Sequence, residues 1–339
     1  MAPINQSNGR QSKTAIWLRR SNQTIIFEKH VIIRARRGAP HFLQPSELFR
    51  GESISNVSLI GHGARLEMHR DDYFLPPYCT PPYIHHEFRM TLGLYLSHQI
   101  KIVGLTFSGS GGDGISLISV SDVLINHRTL GKDQANITAC DMKFINSTVL
   151  GPDNPDWPAN PGVFLSGSHL TSGSIMFDGL AVSKNPGPAV QLLAKGVDAP
   201  PLIFRNCNFT NTATHGRAPI APIPGMHDFF YVPITLQPSP WGSEFEEWSW
   251  PFGGLSFTNV IIRQSNIPAD KATPWLRLEG PAGANDATDL RLVNISISDV
   301  TIFTNQPAVS CKHLVVNGTP SSNVSVDSNC HPLKTDDLD

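Results

Sequence analysis

Apolar and polar residues alternate in short runs along most of the chain, and one six-residue pattern returns: apolar, any residue, Gly/Asp/Asn, apolar, any residue, apolar. It is written as Ile102-Val103-Gly104-Leu105-Thr106-Phe107, Phe177-Asp178-Gly179-Leu180-Ala181-Val182 and Phe204-Arg205-Asn206-Cys207-Asn208-Phe209. Phe257-Thr258-Asn259-Val260-Ile261-Ile262 and Ile297-Ser298-Asp299-Val300-Thr301-Ile302 follow, with Ala139-Cys140-Asp141-Met142-Lys143-Phe144 a weaker copy. After each copy comes a second strand-like block: Gly114–Leu117, Gly162–Leu165, Ala189–Leu192, Pro233–Leu236, Trp275–Leu278 and Ala308–Cys311.

Alternation with period two predicts strands that bury one face. The Gly/Asp/Asn inside each hexad predicts a sharp bend, because these residues tolerate positive φ. A unit this short cannot bury its own apolar side, so successive units must stack. The expected architecture is therefore all-β, a parallel β-helix over residues 16–316, preceded by a flexible segment, 1–15, and followed by a tail, 317–339, that caps in part. Copies lie 37, 38, 27, 53 and 40 residues apart, wider than the roughly 20–30 of a lean coil. The excess falls in 145–161 and 210–232, with further insertions at 67–99 and 237–254. If register holds, long loops emerge along one edge of the stack, where solenoids usually bind their partners.

Composition narrows the function classes. The 26 basic and 28 acidic residues give a net charge of −2, which removes any general basic field for nucleic acid. With 27 glycines and 28 prolines the chain is too rich in breakers for long helices, and no apolar run approaches the ~18 residues of a membrane span. Sequons occur at Asn5, Asn22, Asn56, Asn136, Asn146, Asn208, Asn294, Asn317 and Asn323. Nine is about three times the number expected by chance, which points to a secreted glycoprotein. An Asn in a turn just before a strand, with Ser or Thr inside it, gives the same pattern for structural reasons. The first residues, Met1–Trp17, have no apolar core or small-residue cleavage site and do not read as a signal peptide. Of five cysteines, Cys311 and Cys330 are placed to close a C-terminal loop, and none shows zinc spacing.

The coil pattern resembles the right-handed parallel β-helix of the pectin-lyase-like superfamily. The resemblance is carried by Ile16–Ile25, by Leu59-Ile60-Gly61-His62-Gly63-Ala64 and by Ser110-Gly111-Gly112-Asp113-Gly114-Ile115. It implies a polysaccharide lyase, hydrolase or epimerase, or an adhesin or fibre protein. The chain departs from that pattern in opening inside an early coil and in lacking a run of acids across neighbouring coils. Gly111–Ile115 is similar to the Asn-Thr-Asp-Gly-Ile motif of polygalacturonase-like hydrolases, which implies a catalytic Asp113 with a partner carboxylate one or two coils away. The equivalent positions in later coils, Pro161, Pro188 and Val232, are not acidic. Gly61-His62-Gly63 copies another motif of those hydrolases but precedes the Asp motif.

The insertion 67–99 is rich in chemical groups. Arg70, Arg89 and His86 have the functions a uronate lyase needs, cations to neutralise the carboxylate and a base to take a proton. Asp71, Asp72, His85 and Glu87 offer oxygen and nitrogen donors for a divalent cation such as calcium. Trp241, Glu246, Trp248 and Trp250, together with Trp157, combine aromatic platforms with a carboxylate, as glycan subsites do. The expected function is a carbohydrate-active enzyme, hydrolase or lyase, acting on a polysaccharide in a loop-built groove. The alternatives are a catalytically silent glycan-binding or structural β-helix, and a sugar isomerase or epimerase.

Overall fold

The computed structural model describes residues 16–37, 46–81, 83–84, 86, 88–126, 129–131, 135–151, 162–166, 173–185, 187–194, 201–212, 232–238, 250–251, 254–265, 274–279, 290–292, 295–311, 313–316, 319–320 and 324–332. The described residues are nearly all β. Successive strands pair in parallel with the strand of the next unit, in three separate columns, which is the pairing pattern of a parallel β-solenoid.

The first sheet begins with Ile16–Leu18, Phe49–Glu52 and Leu92–Tyr95. The leading residues of Ile115–Asn126 and Ala135–Ile145 come next, then Val163–Ser166 and Val190–Ala194. Ile234–Pro238, Leu276–Glu279 and His313–Val316 complete it. The second sheet runs from Gln23–Phe27 through the middle of each unit, and the third from Ile32–Arg34 through the end of each unit.

One column of the second sheet shows why the stack holds. Leu59, Ile102, Ile125, Phe144, Phe177, Phe204, Phe257 and Ile297 are in register and all are at most 2% exposed. The four phenylalanine rings stack at 5.1, 4.9 and 5.1 Å, close to the ~4.8 Å strand spacing. The inner rings, Phe177 and Phe204, therefore exchange water for a ring above and a ring below.

The bend predicted inside the hexad is real. Gly104, Gly179, Asn206, Asn259 and Asp299 all have positive φ, at the corner between second and third sheets. A side chain at Gly104 would place Cβ 2.0 Å from the Gly61 carbonyl oxygen. Where the residue is Asn, its amide joins coils: Asn259 Nδ2 donates to Asn206 Oδ1 and Asn206 Nδ2 to Asp178 Oδ1, each at 2.8 Å. The weaker copy behaves differently. Asp141 has positive φ, but it precedes the second-sheet strand, in line with Asn22, Asn56, Gln99 and Asp122, so it turns the other corner. In that coil the true counterpart is Asn146, followed by a buried Ser147 that breaks the apolar pattern.

Two further expectations are corrected. Pro307–Ser310 is a short helix, so Ala308–Cys311 is not a strand; the first sheet continues instead through His313–Val316. The insertion 67–99 is shorter than expected, because Leu92–Tyr95 belongs to the first sheet and only 68–91 leaves the stack. Val324–Pro332 pairs with Ile295–Thr304, so the ladder runs past residue 316. A Cys311–Cys330 disulfide ties these last coils together.

Candidate functional site on the first sheet

Asp113 sits two residues before Ile115, where the chain enters the first sheet. Ile115 is in register with Leu92, and Leu92 with Phe49. Counting back two residues from each gives Met90 and Glu47. A second carboxylate thus occupies the position equivalent to Asp113 two coils earlier, with the backbones about 10 Å apart at ~4.8 Å per coil. Both side chains are buried, Glu47 at 3% and Asp113 at 2% exposure.

Glu47 lies over the outer face of that sheet. A Cβ on Gly93 would lie 3.0 Å from both Glu47 Cγ and the Tyr95 hydroxyl oxygen, so a side chain there would press on both members of the pair. Tyr95 donates from its hydroxyl to Glu47 Oε1 at 2.9 Å, and Arg50 Nη1 lies 2.9 Å from the same oxygen. The Arg50 guanidinium also bridges to Glu52 at 2.9 Å and lies 4.5 Å from the Tyr95 ring centre and 5.5 Å from that of Trp17. Burial, first, and then the neighbouring charge of Glu47 push the Tyr95 hydroxyl well above the ordinary tyrosine range; Asp113 contributes to the same shift. One phenol therefore senses both carboxyl groups.

The same outer face buries polar side chains in later coils. Ser116 lies between Ile115 and Leu117, both fully buried in the core, so alternation turns it outward. It is 1% exposed, and its hydroxyl has no hydrogen-bond partner. Gln191, which alternation also turns outward beside core residue Val190, is 2% exposed and its amide nitrogen is likewise unsatisfied. Buried polar atoms without partners are rare and costly, and they concentrate where a ligand or water belongs.

The insertion packs against this region. Arg89 is fully buried, with its guanidinium 5.0 and 5.2 Å from the ring centres of Tyr73 and Tyr83 and its Nε donating to the Ile84 carbonyl. Burial lowers its pKa. Its own carbonyl accepts from the Gly111 and Gly112 amides at 2.9 and 3.1 Å, so Arg89 fastens 68–91 to the loop that presents Asp113. Arg70, 6% exposed, lies 5.1 Å from the Phe74 ring centre and 3.5 Å from the Ser110 carbonyl. His86 is exposed, and its Nδ1 accepts from the Phe88 amide at 3.2 Å. The structure therefore does not bring Arg70, His86 and Arg89 together around one exposed point.

Asp72 is held by Arg37, Asp71 is exposed, and His85 and Glu87 lie outside the described residues. Among the described residues no three His, Cys, Asp or Glu side chains gather as a metal site would require. Trp157, Trp241, Glu246 and Trp248 also lie outside the described residues. Trp250 is in a two-residue strand paired in parallel with Leu290–Leu292. Trp17 is an aromatic that the sequence did not single out; it stands 37% exposed on the first sheet's outer face.

Of the sequons, Asn22, Asn56, Asn146 and Asn208 are exposed. Asn22, Asn56 and Asn146 are corner residues with positive φ, and Asn56 donates to Asn22 at 3.0 Å, so they have a structural use. Asn136 lies in a strand, and Asn5, Asn294, Asn317 and Asn323 fall outside the described residues. No protein-family model matches the sequence, and no curated protein or solved structure matches it either.

Proposed function

We propose that the protein is a carbohydrate-active enzyme, a polysaccharide hydrolase on a right-handed parallel β-helix of the pectin-lyase-like kind, with its site on the outer face of the first sheet. The observation that carries the reading is that Glu47 and Asp113 each stand two residues ahead of residues, Phe49 and Ile115, that are aligned on the first sheet two coils apart. Glycoside hydrolysis needs an acid and a second carboxylate, and a separation near 6.5–9.5 Å leaves space for an attacking water. Glu47 is held as an acceptor by Arg50 and Tyr95, which suits the base that activates water. Asp113 then protonates the leaving oxygen. Trp17, partly exposed with the Arg19 and Arg50 guanidinium groups over its ring, lies on the same face, and Ser116 and Gln191 offer unused polar groups further along it. The disulfide supports an oxidising, extracellular setting.

A second reading, a glycan-binding module without catalysis, is favoured by the burial of both carboxyl groups and by the engagement of Glu47 with Arg50. The test incubates purified protein with neutral and uronate polysaccharides, with and without calcium. New reducing ends without ultraviolet-absorbing unsaturated uronate would support hydrolysis, and their loss in Glu47→Gln would assign it to this site. Absorbing product would replace hydrolysis by elimination. Retention on an immobilised glycan without cleavage would select the binding module.

A further inference from the structure

A second site lies on a different sheet. A surface cavity of about 720 Å³ opens over the outer face of the third sheet, beside the start of the 68–91 insertion. Its floor is organised by one carboxylate. Arg34 is in register with Glu67 on the next coil; its Nε and Nη2 donate to Glu67 Oε2 at 2.7 and 2.5 Å. Arg65 Nη2 reaches Glu67 Oε1 at 2.5 Å. The carboxylate side chain is 7% exposed, whereas those of Arg34 and Arg65 are 55% and 52% exposed. Glu67 is thus a buried anchor, hydrogen-bonded to the Arg34 guanidinium and ion-paired with that of Arg65, and both half-exposed arginines line the cavity.

We infer that this cavity binds a hydroxylated carboxylic acid, such as a sugar acid. Arg34, Arg37, Arg65 and Arg70 against Glu67, Asp71 and Asp72 leave one positive charge around the cavity, which suits a singly charged anion. The neighbouring Arg37–Asp72 pair is neutral as a unit. Planar guanidinium forks match a planar carboxylate in two-point contact. The volume falls in the range of small-molecule sites and is far larger than a bare oxyanion needs. Thr106 and Ser108, in line with Arg65 and Glu67 on the following coil, and the exposed Asp71 line the same cavity; their oxygens serve ligand hydroxyls. None of these residues belongs to the first-sheet pair, so the inference stands apart from the hydrolase reading.

Calorimetric titration tests it with four probes: glucuronate, glucose, acetate and inorganic phosphate. Glucuronate should bind at least tenfold more tightly than glucose or acetate, and more tightly than phosphate. The Arg34→Gln/Arg65→Gln double variant should lose at least tenfold in glucuronate affinity, and Arg205→Gln on the second sheet should not change it. If the double variant does not fold, Arg65→Lys serves instead: it keeps the charge but not the fork and should still lose several-fold. Phosphate binding as tightly as glucuronate would reduce the site to a simple ion site and overturn the inference. Equal affinity in the arginine variants, or no saturation by glucuronate, would overturn it as well.

Discussion

The corner ladder offers a test in which two causes of stability separate. Asn206 has φ 54° and joins three coils, accepting from Asn259 and donating to Asp178 at 2.8 Å each. Asn206→Ala removes both bonds and forces an L side chain with no local hydrogen bonding into the left-handed region. The region costs Ala about 1–2 kcal/mol, and two solvent-facing hydrogen bonds contribute about 0.5 kcal/mol each. The expected loss is about 2–3 kcal/mol. Asn206→Gly also loses the bonds but removes the strain, as Gly179 does in the preceding coil. Its larger unfolded-state entropy costs about 0.5–1 kcal/mol, giving a loss of about 1.5–2 kcal/mol. Urea unfolding followed by circular dichroism reads the difference as midpoints ordered wild type, Gly, Ala at an unchanged slope. If Ala is as stable as Gly, or more so, the bend does not depend on φ and the reasoning about the hexad is wrong.

Other outcomes follow from the same structure. Phe204, fully buried between Phe177 and Phe257, should cost about 3–5 kcal/mol as Phe204→Ala and much less as Phe204→Leu in the same urea assay. Reducing Cys311–Cys330, which closes a separation of 19 residues, should cost about 3 kcal/mol, seen as a lower melting temperature in reductant that Cys311→Ser/Cys330→Ser reproduces without it. Burial pushes the Cys207 thiol from its ordinary 9.0 up to about 12. Between those values the unfolded chain releases a proton that the folded chain keeps, so stability falls as pH rises from about 9, by up to about 1.4 kcal/mol per unit. Cys207→Ala should flatten that decline, and a thiol reagent should label Cys79 well before Cys207 in the folded protein.

The repeat was legible because the hexad couples two requirements at fixed spacing, an inward apolar residue and a bend that tolerates positive φ. Five copies fall on one corner for that reason. The coil containing Asn146 escaped notice because Ser147 is buried with its hydroxyl donating to the Ile145 carbonyl at 3.1 Å, so a polar residue fills an inward place. Ala139–Phe144 imitated the pattern because both corners of a coil can use Asp with positive φ. Glu47 was hidden by a different cause. Its strand reads Phe49-Arg50-Gly51-Glu52, and the inward Gly51 erases the alternation; a Cβ there would lie 2.6 Å from Ile54 and 2.8 Å from Leu94. Only the alignment of Phe49 with Ile115 shows that an acid stands two residues ahead of each. Arg89 read as a catalytic cation from composition alone, since nothing local reveals that two tyrosines from the same insertion enclose it.

The most direct measurement is the rate of reducing-end release on the polysaccharide that the wild-type protein cleaves, for Glu47→Gln, Asp113→Asn and the exposed control Glu28→Gln, with melting curves recorded for each. The paired-carboxylate account predicts a loss of about a hundredfold or more in each of the first two, an unchanged rate in the control, and melting that shows all three folded. A folded Glu47→Gln or Asp113→Asn that keeps the wild-type rate would contradict it.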